Sequence, residues 1–147
     1  FDEYYKLPEK TAESFNGGWF SAGDLATRDD DGFYQIVDRK DNMIITGGEN
    51  VYPSDIEEVI GSHECVFDCA VVGLPDDKWG EKVAAVIIRK PGLDESKINE
   101  DTIRECCKSQ MAGFKRPKEI IFIDEDEMPR TPTGKILHRK LREKFRK

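Results

Sequence analysis

The sequence predicts an α+β fold in which a small sheet packs against helices as a two-layer α/β sandwich. Three apolar runs, at residues 66–74, 82–89 and 120–123, have the length and the β-branched content of strands. Two other segments, about 53–60 and 97–110, carry apolar residues at helical spacing. Strands that alternate with helices on a chain of 147 residues favour a compact mixed domain.

The first 40 residues are expected to lie outside that domain. Residues 24–28 and 33–37 have strand character, and the turn-rich segment 29–32 between them predicts a β-hairpin. A charged stretch at 38–42 then interrupts the apolar pattern. We therefore place a domain boundary between residues 1–40 and 41–147.

Beyond the boundary, residues 43–45 form a short predicted strand that ends in the tight loop Gly47-Gly48. Pro53 suits the first turn of a helix, and Ile56, Val59 and Ile60 follow it at the spacing of a buried stripe. In the helix at about 97–110, the residues expected to face inward are Ile98, Thr102, Ile103 and Cys106. A basic helix is expected over about 136–146.

Charge is distributed unevenly in this acidic chain, whose net charge is −7. An acidic run occupies residues 124–127, whereas eight lysines and arginines follow Met128. The basic end could contact a polyanion, or it could be the solvated face of a helix.

The four cysteines are Cys65, Cys69, Cys106 and Cys107. With His63 the first two could begin a zinc site, but a second ligand pair at suitable spacing is missing, so buried reduced thiols and no metal are expected. Free thiols favour a reducing cytoplasm. No apolar run reaches the roughly 20 residues of a membrane helix. The start has no visible leader and no Met, which suggests a piece of a longer protein.

Four short motifs occur in a fixed order: GWFSAGD at 18–24, DRKD at 38–41, IITGGENVYPSDIE at 44–57 and PRTPTGK at 129–135. Together they resemble the last third of the adenylate-forming superfamily, which includes acyl- and aryl-CoA synthetases, peptide-synthetase adenylation domains and beetle luciferases. The resemblance runs from about Tyr4 to Leu141. It implies a mobile C-terminal domain, preceded by the end of a large AMP-binding domain.

The resemblance also implies an activity for the full-length protein. Such enzymes join a carboxylate to AMP from ATP with Mg²⁺, and the acyl group then passes to a thiol, usually that of coenzyme A. The loop that binds the ATP phosphates, the principal Mg²⁺ site and the acyl pocket would lie in the large domain. This domain would therefore have that large domain as its partner, and we expect the isolated fragment not to be fully active.

Two residues of the first segment match nucleotide contacts of the superfamily. Asp24 would accept hydrogen bonds from the ribose hydroxyls, and Arg39 would donate to the ribose or a phosphate. Without the resemblance, the favoured interpretation of Asp24 is an acid that caps a turn at the end of a strand, and that of Arg39 is a solvated linker residue.

Asp41 and Lys135 match the residues on which the two half-reactions depend. Asp41 corresponds to the hinge about which the small domain rotates between adenylation and thioester formation. Lys135 corresponds to the lysine that stabilises charge where the carboxylate attacks the α-phosphorus. Taken without the resemblance, Lys135 is one more surface lysine.

Contacts with coenzyme A are implied for two parts of the domain. Gly47, Gly48 and Glu49 match the loop past which the pantetheine arm runs, although Gly-Gly serves an ordinary turn equally well. Trp79, Phe114 and Arg116, with Lys115 between the last two, match groups that hold the CoA nucleotide. A core position for Phe114 is the alternative.

Two other functions stay open. An adenylation domain that loads a carrier-protein thiol would share these motifs. In such a protein a carrier domain would be expected to follow the C-terminal helix. A non-enzymatic module could bind nucleic acid through the basic end, but interleaved stacking aromatics are lacking there, so no nucleic-acid partner is expected.

Overall fold

The protein is described by a computed structural model in which residues 1–92 and 98–146 are described. The chain divides into two compact units, Phe1–Asp41 and Asn42–Lys147.

The first unit is built from short elements around the predicted hairpin. Its elements are α1 (Pro8–Ser14), β1 (Phe15–Asn16), β2 (Trp19–Phe20), β3 (Asp24–Arg28) and β4 (Tyr34–Arg39). Strands β3 and β4 pair antiparallel, which confirms the hairpin, and β4 continues to Arg39 because Asp24 and Arg39 pair across it. A 3₁₀ turn, Lys40–Asn42, follows.

The second unit is a five-stranded sheet with helices, so the predicted α+β class is confirmed. Its elements are β5 (Ile44–Thr46), β6 (Glu49–Val51), α2 (Pro53–Gly61), β7 (Val66–Asp76), β8 (Gly80–Arg89), α3 (Glu100–Gln110), β9 (Glu119–Ile123) and α4 (His138–Phe145). The order along the sheet is β6-β5-β8-β7, and β9 pairs with β8 in parallel.

Both faces of this sheet are apolar, as the dense runs of β7 and β8 require. On one face, Val71, Val83 and Ile87 pack with Ile56 of α2 and Ile103 of α3. The opposite face carries a second cluster of Val72, Val86 and Ile88 with Met128 and Leu141, the latter from α4. The segment that follows β9 thus covers the face that α2 and α3 leave open.

Two details differ from the sequence prediction. Strand β6 was not predicted; it pairs antiparallel with β5 across the Gly47-Gly48 turn. In α3 the inward cysteine is Cys107, which is fully buried, and the prediction for Cys106 was wrong because Ile103 and Cys107 share one helix face. The predicted start of this helix at 97 lies outside the described residues.

No helix within the described residues is both long and apolar enough to cross a membrane.

Candidate functional site

Asp24 and Arg39 face each other across the hairpin of the first unit. The Arg39 Nη1 atom lies 3.1 Å from Asp24 Oδ1, and both side chains are partly exposed. Gly23, just before Asp24, has a positive φ of +77°, which favours glycine. Its missing side chain leaves space beside the pair, since a Cβ there would lie 3.4 Å from Arg39 Nη2. The pair offers solvent a carboxylate acceptor beside guanidinium donors.

Asp41 lies at the end of the first unit, in the 3₁₀ turn between β4 and β5. The Lys40 N–H just before it donates to the Gly23 carbonyl at 2.8 Å, so the chain is secured up to residue 40. Asp41 itself is exposed, and the next strand begins only at Ile44.

The Gly47-Gly48 turn and Trp79 come into direct contact. Both glycines have positive φ angles, +60° and +85°, as a two-residue hairpin turn of this type requires. The Gly47 N–H donates to the Trp79 carbonyl at 2.9 Å. The indole lies so close to Gly47 that a Cβ there would meet the ring at 2.8 Å. Glu49 opens β6 directly beyond the turn and is exposed.

Two lysines place positive charge on the Trp79 indole, which is 41% exposed. The Lys118 Nζ atom lies 4.2 Å from the ring centroid and the Lys78 Nζ atom 4.8 Å. The Asp76 carboxylate accepts from the Trp79 N–H at 2.9 Å and fixes the backbone of the tryptophan. An exposed aromatic surface flanked by ammonium groups suits a planar ring that carries phosphates.

Sequence reasoning missed these two lysines. The signal that could have found them is their position, because Lys78 adjoins Trp79 and Lys118 closes the FKRPK segment.

The segment from Phe114 to Arg116 follows α3. Phe114 lies in the 3₁₀ turn Gly113–Lys115 and is 41% exposed, so it does not occupy a core position. The Lys115 ammonium binds the Asp55 carboxylate at the start of α2 at 2.6 Å. Arg116 donates from Nε to the Met111 carbonyl at 3.1 Å and from Nη2 to that of Lys108 at 3.0 Å. Arg116 therefore caps the C-terminal end of α3 through its side chain.

Lys135 closes a small turn. The Gly134 N–H donates to the Thr131 carbonyl at 2.9 Å, and the Thr131 N–H donates to that of Lys135 at 2.8 Å. The Thr131 hydroxyl in addition accepts from the Lys135 N–H at 3.1 Å. The Lys135 side chain is exposed, and within residues 1–92 and 98–146 its ammonium has no carboxylate in an ion pair. The backbone is thus held while the charge stays available.

The cysteines are free thiols, of which Cys65, Cys69 and Cys107 are buried. Burial raises the pKa of Cys69 to about 12, with a further contribution from Glu57, and raises that of Cys107 to about 11. Both are neutral packing groups near pH 7. The described ranges contain no cluster of three His, Cys, Asp or Glu side chains suited to a metal ion.

Residues 55–135, more than half of the chain, match the family described as the AMP-binding enzyme C-terminal domain. The chain belongs to this family.

The relatives that it resembles are much longer than this chain. A long-chain fatty-acid–CoA ligase, FadD13 of Mycobacterium tuberculosis, is 46% identical over 97% of this chain and 27% of its own length. A fatty acid–[acyl-carrier-protein] ligase, ScoC of Streptomyces coeruleorubidus, is 44% identical over 97% of this chain and 27% of its own length. The crystal structure of ATP-bound MatB from Rhodopseudomonas palustris aligns with a TM-score of 0.85 and 38% identity, over 97% of this chain and 27% of that one. The chain thus spans about a quarter of the length of these relatives.

Proposed function

We propose that this chain is the C-terminal domain of an ATP-dependent carboxylate–CoA ligase, AMP-forming, which makes an acyl-AMP and then an acyl-CoA. The proposal is supported by the names of the relatives, a CoA ligase and an ATP-bound structure among them. The domain works with the large domain of the full-length protein, which would supply the acyl pocket and the principal Mg²⁺ site. Its free cysteines favour a reducing compartment, the cytoplasm.

The observation that carries the proposal is the exposed Lys135 ammonium on a turn whose backbone is fixed. In adenylation the carboxylate oxygen attacks the α-phosphorus as pyrophosphate leaves, and negative charge accumulates on the phosphate oxygens and the leaving pyrophosphate. A lysine presented on a preorganised turn stabilises that charge without reorganising as the reaction proceeds. Asp24 and Arg39 would orient the ribose, the first accepting from its hydroxyls and the second donating to its oxygens.

Coenzyme A supplies the thiol that attacks the acyl-AMP. In our proposal the pantetheine arm passes the Gly47-Gly48-Glu49 turn, where the absent side chains leave the backbone open to it. Trp79 stacks on the adenine, and Lys78 and Lys118 attract the phosphates beside it. Phe114 adds an exposed ring, and Arg116 a donor that its helix-capping bonds hold in place.

In this proposal the two half-reactions use different loops of the domain, the Lys135 turn for adenylation and the Gly47 turn for thioester formation. Rotation about Asp41 would present each loop to the large domain in succession.

The experiment is ATP–pyrophosphate exchange by the full-length protein with a panel of short, medium, long-chain and aromatic acids. Lys135→Ala is expected to reduce acid-dependent exchange by more than about 100-fold, because a charge contact of the transition state is lost. Thioester formation from supplied acyl-AMP should persist. Lys140→Ala, which removes an exposed lysine of α4, is the matched control and should exchange normally.

Exchange that persists in Lys135→Ala would remove this lysine from the chemistry. An equal loss in both half-reactions would point to general damage and contradict the assigned role.

A second candidate is an adenylation enzyme that loads a carrier-protein thiol, which the 44% identity to a ligase of that description favours. Offering CoA and a pantetheinylated carrier protein to the same acyl-AMP distinguishes the two. Transfer to the carrier alone would replace the CoA assignment and leave the role of Lys135 intact.

A further inference from the structure

An ion pair joins β7 to the segment that carries Lys135. The Arg130 Nη2 atom lies in close contact with Asp68 Oδ2, and the two residues are 62 positions apart in sequence. Their side chains are 29% and 34% exposed, so the pair is shielded from full screening by solvent. The other Asp68 oxygen, Oδ1, accepts from the Cys69 N–H at 2.8 Å and fixes the carboxylate.

Arg130 also contacts the Lys135 turn directly. Its Nη1 donates to the Gly134 carbonyl at 3.1 Å, and its backbone bridges to Ile136 in antiparallel register. The guanidinium therefore links the residue just before Lys135 to a carboxylate on the sheet. A planar fork suits such a double contact, because its donors are fixed relative to one another.

The sheet places Asp68 where Arg130 can reach it. Asp68 alternates with Ala70 and Val72, which face the cluster of Met128 and Leu141. The pairing of β7 with β8 shifts register between Val66 and Asp68, and this bulge ends the regular pattern next to the carboxylate. Bulges of this kind re-aim a side chain at the end of a ladder.

We propose that Asp68 and Arg130 are positioning residues that hold the Lys135 turn against the sheet, so that its ammonium is preorganised for adenylation. This inference rests on the proposed role of Lys135. A flexible turn would present the same charge but would lose the benefit of fixed geometry, since small misplacements of a catalytic group reduce rates strongly.

The test uses the full-length protein and compares Arg130→Gln and Asp68→Asn with Arg139→Gln, a control at an exposed arginine of α4. Asp68→Asn keeps an acceptor for the Cys69 N–H and removes the charge opposite Arg130. Both variants should lower acid-dependent ATP–pyrophosphate exchange by about 10- to 100-fold. Thioester formation from supplied acyl-AMP should stay within about twofold of wild type, as should every rate of Arg139→Gln.

A coupling measurement separates positioning from plain stabilisation. If Arg130 acts through Lys135, the double variant Arg130→Gln/Lys135→Ala exchanges at the rate of Lys135→Ala alone. A further tenfold loss, roughly additive with the single effects, would overturn the inference. If Arg130→Gln does not fold, as judged by thermal unfolding, Arg130→Lys takes its place in the same cycle.

The failures of the two ideas are distinguishable. Normal exchange by Lys135→Ala rejects the role of Lys135 and the positioning inference with it. Loss of exchange in Lys135→Ala together with normal exchange in Arg130→Gln and Asp68→Asn rejects the positioning inference alone.

Discussion

Arg116 and Lys135 show two ways in which the fold treats a cation that sequence motifs single out. Arg116 donates hydrogen bonds from two of its nitrogen atoms to carbonyls at the end of α3. Its substitution would therefore disturb the helix end as well as any ligand contact. Lys135 makes its bonds through the backbone and keeps its ammonium in solvent. A loss of activity at Lys135 is therefore the simpler result to interpret.

Gly47 and Gly48 offer a matched pair of substitutions. Among the residues that the structure describes, a Cβ at Gly48 meets nothing within 4 Å, so alanine there should cost only the strain of a left-handed residue, about 1–2 kcal/mol. Alanine at Gly47 adds a Cβ 2.8 Å from the Trp79 ring, which should cost a further 1–3 kcal/mol or so and displace the indole. Urea unfolding of the 147-residue chain gives both free energies.

Trp79 fluorescence provides a second measurement for the same pair, in a Trp19→Phe background that leaves one indole. A shift in emission is expected for Gly47→Ala and not for Gly48→Ala. Equal stabilities and equal spectra for the two variants would show that the indole does not rest on Gly47.

The elements that sequence patterns predicted best are those that local chemistry specifies. The hairpin of β3 and β4 has its turn residues between two strand-like runs, and α2 begins at the proline that suits a first helical turn. Strand β6 escaped prediction because its three residues are strand only by virtue of pairing with β5. In α3 the pattern predicted Cys106 as the inward cysteine, whereas packing against α2 and the sheet buries Cys107.

The orientation of α3, which buries Cys107 and leaves Cys106 partly exposed, has a chemical consequence. Cys107 and Cys69 are buried thiols whose pKa values are raised to about 11 and about 12, whereas Cys106 is partly exposed. At pH 8 the native 147-residue chain should therefore show one fast-reacting thiol with a disulfide reagent, since the thiolate is the nucleophile. Cys106→Ser should abolish the fast phase, and Cys69→Ser should leave it unchanged.

The sign of the pH dependence is fixed by the same shifts. A thiol whose pKa is higher in the folded state favours the fold below its unfolded pKa and loses that contribution as pH rises through the folded value. Reactivity of the slow thiols should thus increase above about pH 9, the ordinary range for a cysteine, as unfolding becomes easier. A fast phase that survives in Cys106→Ser would show that one of the thiols that the structure buries, Cys65, Cys69 or Cys107, is accessible.

The order of the motifs predicted which residues to consider as the candidate site, but it did not predict how those residues are arranged in space. The contacts of Trp79 with Gly47 and of Arg130 with Asp68 join positions far apart in sequence, and no local pattern encodes them. They depend on the register of β7 with β8 and on the Thr46–Gly80 pairing of β5 with β8. Such contacts depend on how strands that are distant in sequence align in the sheet. That alignment is determined by the packing of the whole fold and not by any local sequence pattern.

The division of the chain at Asp41 leads to a last prediction, for the full-length protein. Asp41→Pro fixes the φ angle of this residue and restricts Lys40 before it, so rotation about the segment should be hindered. Asp41→Ala removes the carboxylate but leaves both torsions free, and it should retain both half-reactions.

The two steps are measured separately, as ATP–pyrophosphate exchange and as acyl-CoA formation from supplied acyl-AMP. For Asp41→Pro we expect exchange near the wild-type rate and acyl-CoA formation reduced by about tenfold or more, because hinge positions commonly control conformational steps. Wild-type rates in both steps would mean that the rotation is not located at Asp41. An equal reduction in both, shared by Asp41→Ala, would assign the effect to the carboxylate and not to the backbone torsions.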